Sequence, residues 1–265
     1  MTTALDSKNK TKAQTATTMD SRIRNQQIVT QVLKYTLAIV IAVIMIFPFY
    51  WMVNTVFKAD NELYNLNLNP LYIHTWTLSN IVKLFTETIF LRWMANTFFV
   101  AITATLISLA ASLLAAYAIQ RIQYKTSGPT GVAIFLGYLV PQTILFIPLA
   151  HIIFKVKLWD SLWSLVLTYP TFLIPFCTWL LMGYFKTIPK EMEECAMIDG
   201  ASRIKIFRRI ILPLCLPGVL SAGIFCFTLS WNEYLYALAF ISSTAKKTVP
   251  IGLVTELVRG DVYHW

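Results

Sequence analysis

Five apolar runs, each long enough to cross a lipid bilayer, decide what this chain can fold into. They lie at about residues 35–57, 93–120, 131–154, 162–185 and 214–241; four carry no Asp, Glu, Lys or Arg, and the last carries only Glu233. About 20 apolar residues rising 1.5 Å each suffice for the hydrocarbon core. A backbone in lipid must satisfy its own hydrogen bonds, so each run is expected to be a helix. Charged residues make up 13% of the chain, about half the share of a soluble domain. The expected fold class is therefore all-α, a polytopic membrane helix bundle.

The runs differ in detail. The first carries Pro48, a kink position. The second is rich in small residues, Ala101, Ala104, Ser108, Ala110, Ala111, Ser112, Ala115 and Ala116, which let helix backbones approach closely in lipid. The third and fourth hold Pro141, Pro148, Pro170 and Pro175, which read as breaks that flex during gating or, in the slightly favoured reading, as ordinary membrane-helix kinks. Residues 1–30 are rich in Thr, Lys, Gln and Asn. Such a stretch cannot bury enough apolar surface to offset its ordering entropy, so it is expected to be a disordered tail, with 31–265 the membrane domain. A secretory signal is excluded, because run 35–57 is too long for an h-region and no small-x-small cleavage site follows it.

Charge placement gives an orientation. Of the 22 Lys and Arg, 14 fall in the tail through Lys34, the turn near Arg121 and the segment 186–213; only 8 fall in 58–92, 155–161 and 242–265. The excess puts the tail and the 186–213 segment in the cytoplasm, and Trp93, Trp159, Trp163 and Trp265 at the outer interface. The formal charge of +9 is spread over loops rather than gathered in a groove, so nucleic acid is not an expected partner. Cys177, Cys195, Cys215 and Cys226 lack the short spacing of a zinc or redox site and read as packing residues, with no disulfide. His74, His151 and His264 stand alone, so no metal site and no catalytic constellation is expected. With no phosphate-cradling Gly loop, the chain itself binds no ATP.

The stretch 188–217 is a polar island between two apolar runs. Pro189 suits a helix start, and Glu191, Glu193 and Glu194 favour the positive end of that helix. Met192, Cys195, Ala196 and Ile198 lie roughly on one face. Asp199-Gly200 is a turn signal. Ile204, Phe207 and Ile211 then recur at helical spacing, opposite Arg203, Lys205, Arg208 and Arg209, and Pro213 marks the start of the next span. The island reads as two short amphipathic helices joined at Gly200: a docking surface for a soluble partner, or an interfacial hairpin on lipid headgroups.

The run Glu194-Cys195-Ala196-Met197-Ile198-Asp199-Gly200-Ala201-Ser202, followed by Phe207 and Ile211-Leu212-Pro213, resembles the EAA loop of ABC importer permeases, in the carbohydrate-importer subfamily and on the side of its maltose-type second permease. Asn96-Thr97, the stretch Ala116-Tyr117-Ala118-Ile119-Gln120-Arg121 and Trp231-Asn232-Glu233-Tyr234 agree with it. The resemblance implies the type I importer permease fold and a multi-pass protein of a bacterial inner or plasma membrane with a cytoplasmic N-terminus. It implies four kinds of partner beside membrane lipid: ABC ATPase subunits, a second permease subunit, an extracytoplasmic solute-binding protein and a sugar substrate. ATP and Mg would sit on the ATPase subunits, with no cofactor on this chain. The loop, 186–212, would couple ATPase closure to alternating access. Glu194 would contact the ATPase, Asp199 and Gly200 form the turn, and Ala196, Ala201, Ile204 and Phe207 form the docking face. Cys195 stands where the motif usually has Ala and is small enough to fit.

Ionisable groups in lipid are expensive and point to function, so Asn232 and Glu233, with Gln142 beside Pro141, are candidates for the translocation path; Glu233 reads equally as an outer-interface residue. The motif does not name the cargo, which leaves open a permease for another solute such as glycerol phosphate, or a truncated, non-transporting scaffold. The family has six spans with both ends inside; with five here, the sixth is expected to be missing after Trp265.

Overall fold

The computed structural model describes the backbone of residues 2–63, 65, 67–122, 124–259 and 262–263, and side chains from residue 27 on except 60, 64, 66, 123 and 258–265. His264 and Trp265, singled out above, lie outside the described residues. The chain divides into two units, Met1–Ile81 and Val82–Trp265.

In the first unit, α1 runs Thr2–Val56. No Gly or Pro precedes Pro48, so no helix breaker stands between the first span and the start of α1. The stretch Gln27–Val56 is apolar enough to span, and its side chains are exposed as far as Val53. After α1 the chain turns through α2 (Asp60–Leu63) into the Asn-rich segment. Asn54 Nδ2 donates to the carbonyls of Pro70 (3.1 Å) and Leu71 (3.0 Å). Glu62 accepts from the amides of His74 (2.9 Å) and Thr75 (3.0 Å) and meets the His74 ring at 3.1 Å. The His74 amide does most to hold the Glu62 carboxyl at about 2; burial opposes it, and the Thr75 amide and His74 ring add to the lowering.

A short α3 (Ser79–Thr86) leads to the helices of the second unit, where α4 (Phe90–Tyr117) is the central one. Ala101, Ala104, Ser108, Ser112 and Ala116 are wholly buried. Their three- and four-residue spacing puts them on one stripe. That stripe lets α4 lie close to α8 and α11, and Ser112 Oγ donates across it to the Ile174 carbonyl at 3.1 Å. Ala110 on the opposite side is exposed.

The third span is broken rather than kinked. It is a bent pair, α5 (Ser127–Tyr138) and α6 (Gln142–Lys155), meeting at 92°. Pro141 has no N–H to give back to the preceding turn, and it pushes Val140 toward extended backbone. Pro148 sits inside α6 without a break. The fourth span, Leu162–Phe185, is continuous in length and consists of α7 (Leu162–Thr168) and α8 (Pro170–Phe185). Next come α9 (Glu191–Ile198), α10 (Arg203–Ile206) and α11 (Leu212–Trp231). Helix runs without interruption over Arg203–Trp231, so the island's second half is the root of the fifth span, not a separate short helix. Phe207–Ile211 is a π turn, whose longer-range bonding accommodates Pro213 just beyond. That span also stops short of the expected 241: it ends at Trp231, and α12 (Leu235–Phe240) follows a break. Between α8 and α11, Cys177 and Cys226 are joined as a disulfide with Cα atoms 7.1 Å apart. This corrects the expectation of no disulfide. The two sulfurs meet because the close-packed helices bring them together, which a 49-residue separation does not announce.

At the end of α4 remote from α9, the chain folds back through α13 (Val249–Gly252). Trp93 Nε1 donates to the Thr244 carbonyl (2.8 Å), Asn96 Nδ2 to those of Ala245 (3.0 Å) and Lys247 (2.9 Å), and the Val249 amide to Thr97 Oγ1 (2.8 Å). Trp93 is 1% exposed, so it is a core residue rather than the interfacial one expected. Asp160 completes this clasp. Its Oδ1 accepts from the amides of Ser242 (2.9 Å) and Ser243 (2.8 Å), and its Oδ2 lies 3.0 Å from Lys246 Nζ. Burial pushes the Asp160 carboxyl up, but the Ser243 hydroxyl and amide, Lys246 and the Ser242 amide outweigh it and hold it well below the carboxylate range. A depressed folded-state value means the stabilisation is present at neutral pH and is lost as pH falls below the ordinary value of 3.8. Limited proteolysis of the 242–248 segment is therefore expected to quicken only below about pH 4 in the wild type, and already at pH 7 in Asp160→Asn. Equal cleavage of both at pH 7 would show that the carboxylate does not close the clasp.

Candidate functional site: the α9 loop

Between the fourth and fifth spans, the chain leaves α8 at Phe185 and forms α9 within six residues. Its end is a Schellman motif. The Ala201 amide donates to the Ala196 carbonyl (2.9 Å) and the Gly200 amide to that of Met197 (3.0 Å), with Gly200 at φ 77°. Ser202 then caps α10 by accepting from the Lys205 amide at 3.4 Å. The loop is thus a helix, a left-handed turn and a capped helix start, each from an identifiable residue.

The outward surface of the loop is apolar at its tip and charged around it. Ile198 is 85% and Ile204 72% exposed. Glu194, Cys195, Asp199 and Gly200 are exposed as well. The docking-face residues named from the resemblance divide: Ile204 points out, whereas Ala196, Ala201 and Phe207 pack against the protein's own core. The ring of Phe207 lies 4.8 Å from that of Tyr117. The face of Met192, Cys195 and Ile198, an obvious candidate for burial, is turned to the outside. Pro213 sits in the first turn of α11.

The residue that holds the loop is one the sequence reading passed over. Among the side chains of α9 only Glu193 is buried. Its Oε1 lies 3.1 Å from Arg121 Nε, with the two side chains 7% and 3% exposed, and the Tyr117 hydroxyl donates to its Oε2 at 3.5 Å. Arg121 projects from a π turn, Ala118–Ile122, that extends α4. From Nη2 it donates to the carbonyls of Phe185 (2.8 Å) and Ile188 (2.6 Å) at the end of α8. The Phe185 carbonyl, which also accepts from the Ile188 amide at 3.3 Å, closes α8, and a cation there meets the negative end of the helix. Removing one partner of such a buried pair costs about 3–5 kcal/mol. The one available signal was Glu193 and Ala196 three residues apart, which is one helix face.

The path candidates come together near the α11–α12 break. Glu233 is buried, and its carboxylate accepts from the amides of Tyr236 (2.7 Å) and Ala237 (3.1 Å); it caps the first turn of α12. Asn232 is exposed, with Nδ2 donating to its own helix at Thr228 (2.9 Å). The Tyr236 hydroxyl reaches the Gln142 backbone carbonyl at 3.5 Å, so Gln142 and Glu233 are linked through Tyr236. The polar side chains here serve helix ends.

These features define an all-α polytopic bundle with a structured loop between its fourth and fifth spans, the fold of an importer permease. The same fold occurs in one chain of the crystal structure of a bacterial ABC transporter involved in the import of the acidic polysaccharide alginate. The TM-score is 0.74 and the identity 19%, over 88% of this chain and 82% of that one. Residues 125–255 match the family described as binding-protein-dependent transport system inner membrane component. Relatives include the inner membrane ABC transporter permease protein YcjP of Escherichia coli, 33% identical over 84% of this chain and 80% of its own. The sulfoquinovosyl glycerol transport system permease protein SmoH of Agrobacterium fabrum is 34% identical over 88% and 81%. The trehalose/maltose transport system permease protein MalG of Thermococcus litoralis is 34% identical over 89% and 85%. The chain belongs to this family of binding-protein-dependent inner-membrane transport components. It is a multi-pass inner-membrane permease subunit and not an enzyme; in this family ATP is hydrolysed by partner subunits.

Proposed function

We propose that this chain is the permease half of an ATP-driven sugar importer, with the N-terminus and the α9 loop in the cytoplasm and the loop seated in a cleft of an ABC ATPase subunit. A second permease, two ATPase subunits and an extracytoplasmic binding protein complete the assembly, with ATP and Mg held by the ATPases. One observation carries the reading: a rigidly built loop holds Ile198 and Ile204 in the open, at the end of a bundle whose other apolar surface suits lipid. Burying each isoleucine in a partner's cleft contributes about 1.5–3 kcal/mol, and the charges around them, Glu194 among them, set the register. The sugar cargo is supported by relatives whose names specify trehalose/maltose, sulfoquinovosyl glycerol and diacetylchitobiose, and the orientation by the Lys/Arg excess on the loop side.

Two measurements test this. Glu194→Lys is expected to weaken co-purification of the ATPase subunits about tenfold, the factor that ~1.4 kcal/mol carries, while membrane insertion stays normal. Unchanged co-purification would count against direct contact. In a reconstituted complex, the binding protein loaded with a disaccharide such as trehalose or maltose is expected to stimulate ATP hydrolysis. Stimulation by glycerol phosphate instead would reassign the cargo.

A further inference from the structure

Resting on that reading of the α9 loop, we infer that Arg121 and Glu193 form a fixed joint that makes α9, the adjoining end of α4 and the end of α8 move as one body. Arg121 is the positioning residue of that joint.

Little else holds α9. Of its side chains only Glu193 is buried, while Met192, Met197 and Ile198 are exposed. A short helix held by greasy contacts alone slides when pushed, because apolar contact has no preferred direction. The buried ion pair at 3.1 Å resists separation, and the hydrogen bonds beside it, from Tyr117 to Glu193 and from Arg121 to two carbonyls, supply the direction. A planar guanidinium with several donors joins three elements at once where an ammonium offers a single point. Arg121 uses that geometry: Nε faces the Glu193 carboxylate and Nη2 takes the two carbonyls at the end of α8. Its own backbone lies in a π turn, which rotates the last residues of the span relative to a regular α-helix and so aims the side chain between α8 and α9. Tyr117, one turn earlier, bonds to the same carboxylate and packs at a tilt against Phe207 at the root of α11. A displacement of the loop by a partner is delivered to α4 through the buried Arg121–Glu193 ion pair and the Tyr117 hydrogen bond, and on to the chain after α8 through the two Arg121 hydrogen bonds.

The experiment uses the assembled complex in lipid nanodiscs, with Mg-ATP and vanadate as the probe, so no cargo is needed. In a Cys195→Ala background, spin labels are placed on Glu191→Cys, exposed in the first turn of α9, and on Leu114→Cys, exposed on α4. In the wild-type background the distance between them is expected to keep the same centre and width in the nucleotide-free and vanadate-trapped states. In Glu193→Gln, which keeps the shape but removes the charge, the trapped state is expected to broaden and shift by up to about one helical turn, ~5 Å. Lys125→Gln, removing an exposed cation near Arg121, is expected to behave as wild type. A wild-type distance that itself shifts by ~5 Å on trapping would overturn the joint, whether or not the variant assembles. So would a Glu193→Gln distribution indistinguishable from wild type, or an equal shift in Lys125→Gln. If the wild-type complex holds no ATPase to trap, the docking reading falls and the joint with it. Intact trapping with an unaltered variant removes the joint alone.

Discussion

Gly200→Val is expected to abolish coupled uptake, by at least about tenfold, while leaving the amount of protein in the membrane unchanged. The backbone at Gly200 has φ 77°, and nothing lies within 4 Å of the place a Cβ would take. Crowding therefore contributes nothing, and the whole penalty is conformational. A β-branched residue at positive φ is strained by about 1–3 kcal/mol. The chain can escape only by opening the turn and giving up the two Schellman bonds from Gly200 and Ala201. That would swing Ile198 relative to Ile204 without touching a span. Asn, which tolerates the left-handed region, is expected to retain most of the activity. Uptake in membrane vesicles with immunoblot normalisation checks both; normal uptake by the valine variant would remove the turn from the coupling step.

Gly252→Val acts at the other end of α4 and for the opposite reason. Here a Cβ would lie 2.5 Å from ring atoms of Trp93, an indole that is 1% exposed and tied to the Thr244 carbonyl. It cannot yield without breaking that bond and unseating Val249 and Leu257, which pack with it. Overpacking of this kind costs about 1–3 kcal/mol or more, a fall in thermal midpoint on the order of 5 °C for a chain of this size. Gly128→Ala, where nothing lies within 4 Å, is the matched control and is expected to be silent. The comparison is made on detergent-solubilised protein by fluorescence-detected size exclusion after heating. Equal midpoints would mean that α13 does not pack against Trp93 as described.

The parts of the fold legible in the sequence were those with a one-dimensional cause. Charge-free length marked the spans, small residues marked α4 as a helix that others approach closely, and Asp199-Gly200 marked the turn. What stayed hidden depended on neighbours. Pro141 breaks a span and Pro148 does not, although the same imino acid stands at both places. The fate of each depends on what surrounds the freed carbonyl. Glu193 and Glu194 sit about 100° apart on one helix, and only the position of Arg121, some seventy residues earlier, decides which turns inward. Phe207 reads as part of an outward face at ordinary helical spacing; the π turn beginning at that residue, and the Tyr117 ring waiting for it, turn it inward. The Cys177–Cys226 pairing likewise follows from the α8–α11 contact and from nothing in the spacing.

The clasp at the far end of α4 has a consequence for biogenesis. Its hydrogen bonds join Trp93, Asn96 and Thr97 to residues 244–249, across sequence separations of 149 to 152. A chain that leaves the ribosome from its N-terminus has already handed α4 to the bilayer by the time those partners are synthesised. Until then the Asn96 amide and the Trp93 indole have no protein group to bond, and the helix must wait in the membrane half-dressed. Closing the clasp is therefore a late event, and one that reports whether everything between the two segments was inserted in the right order.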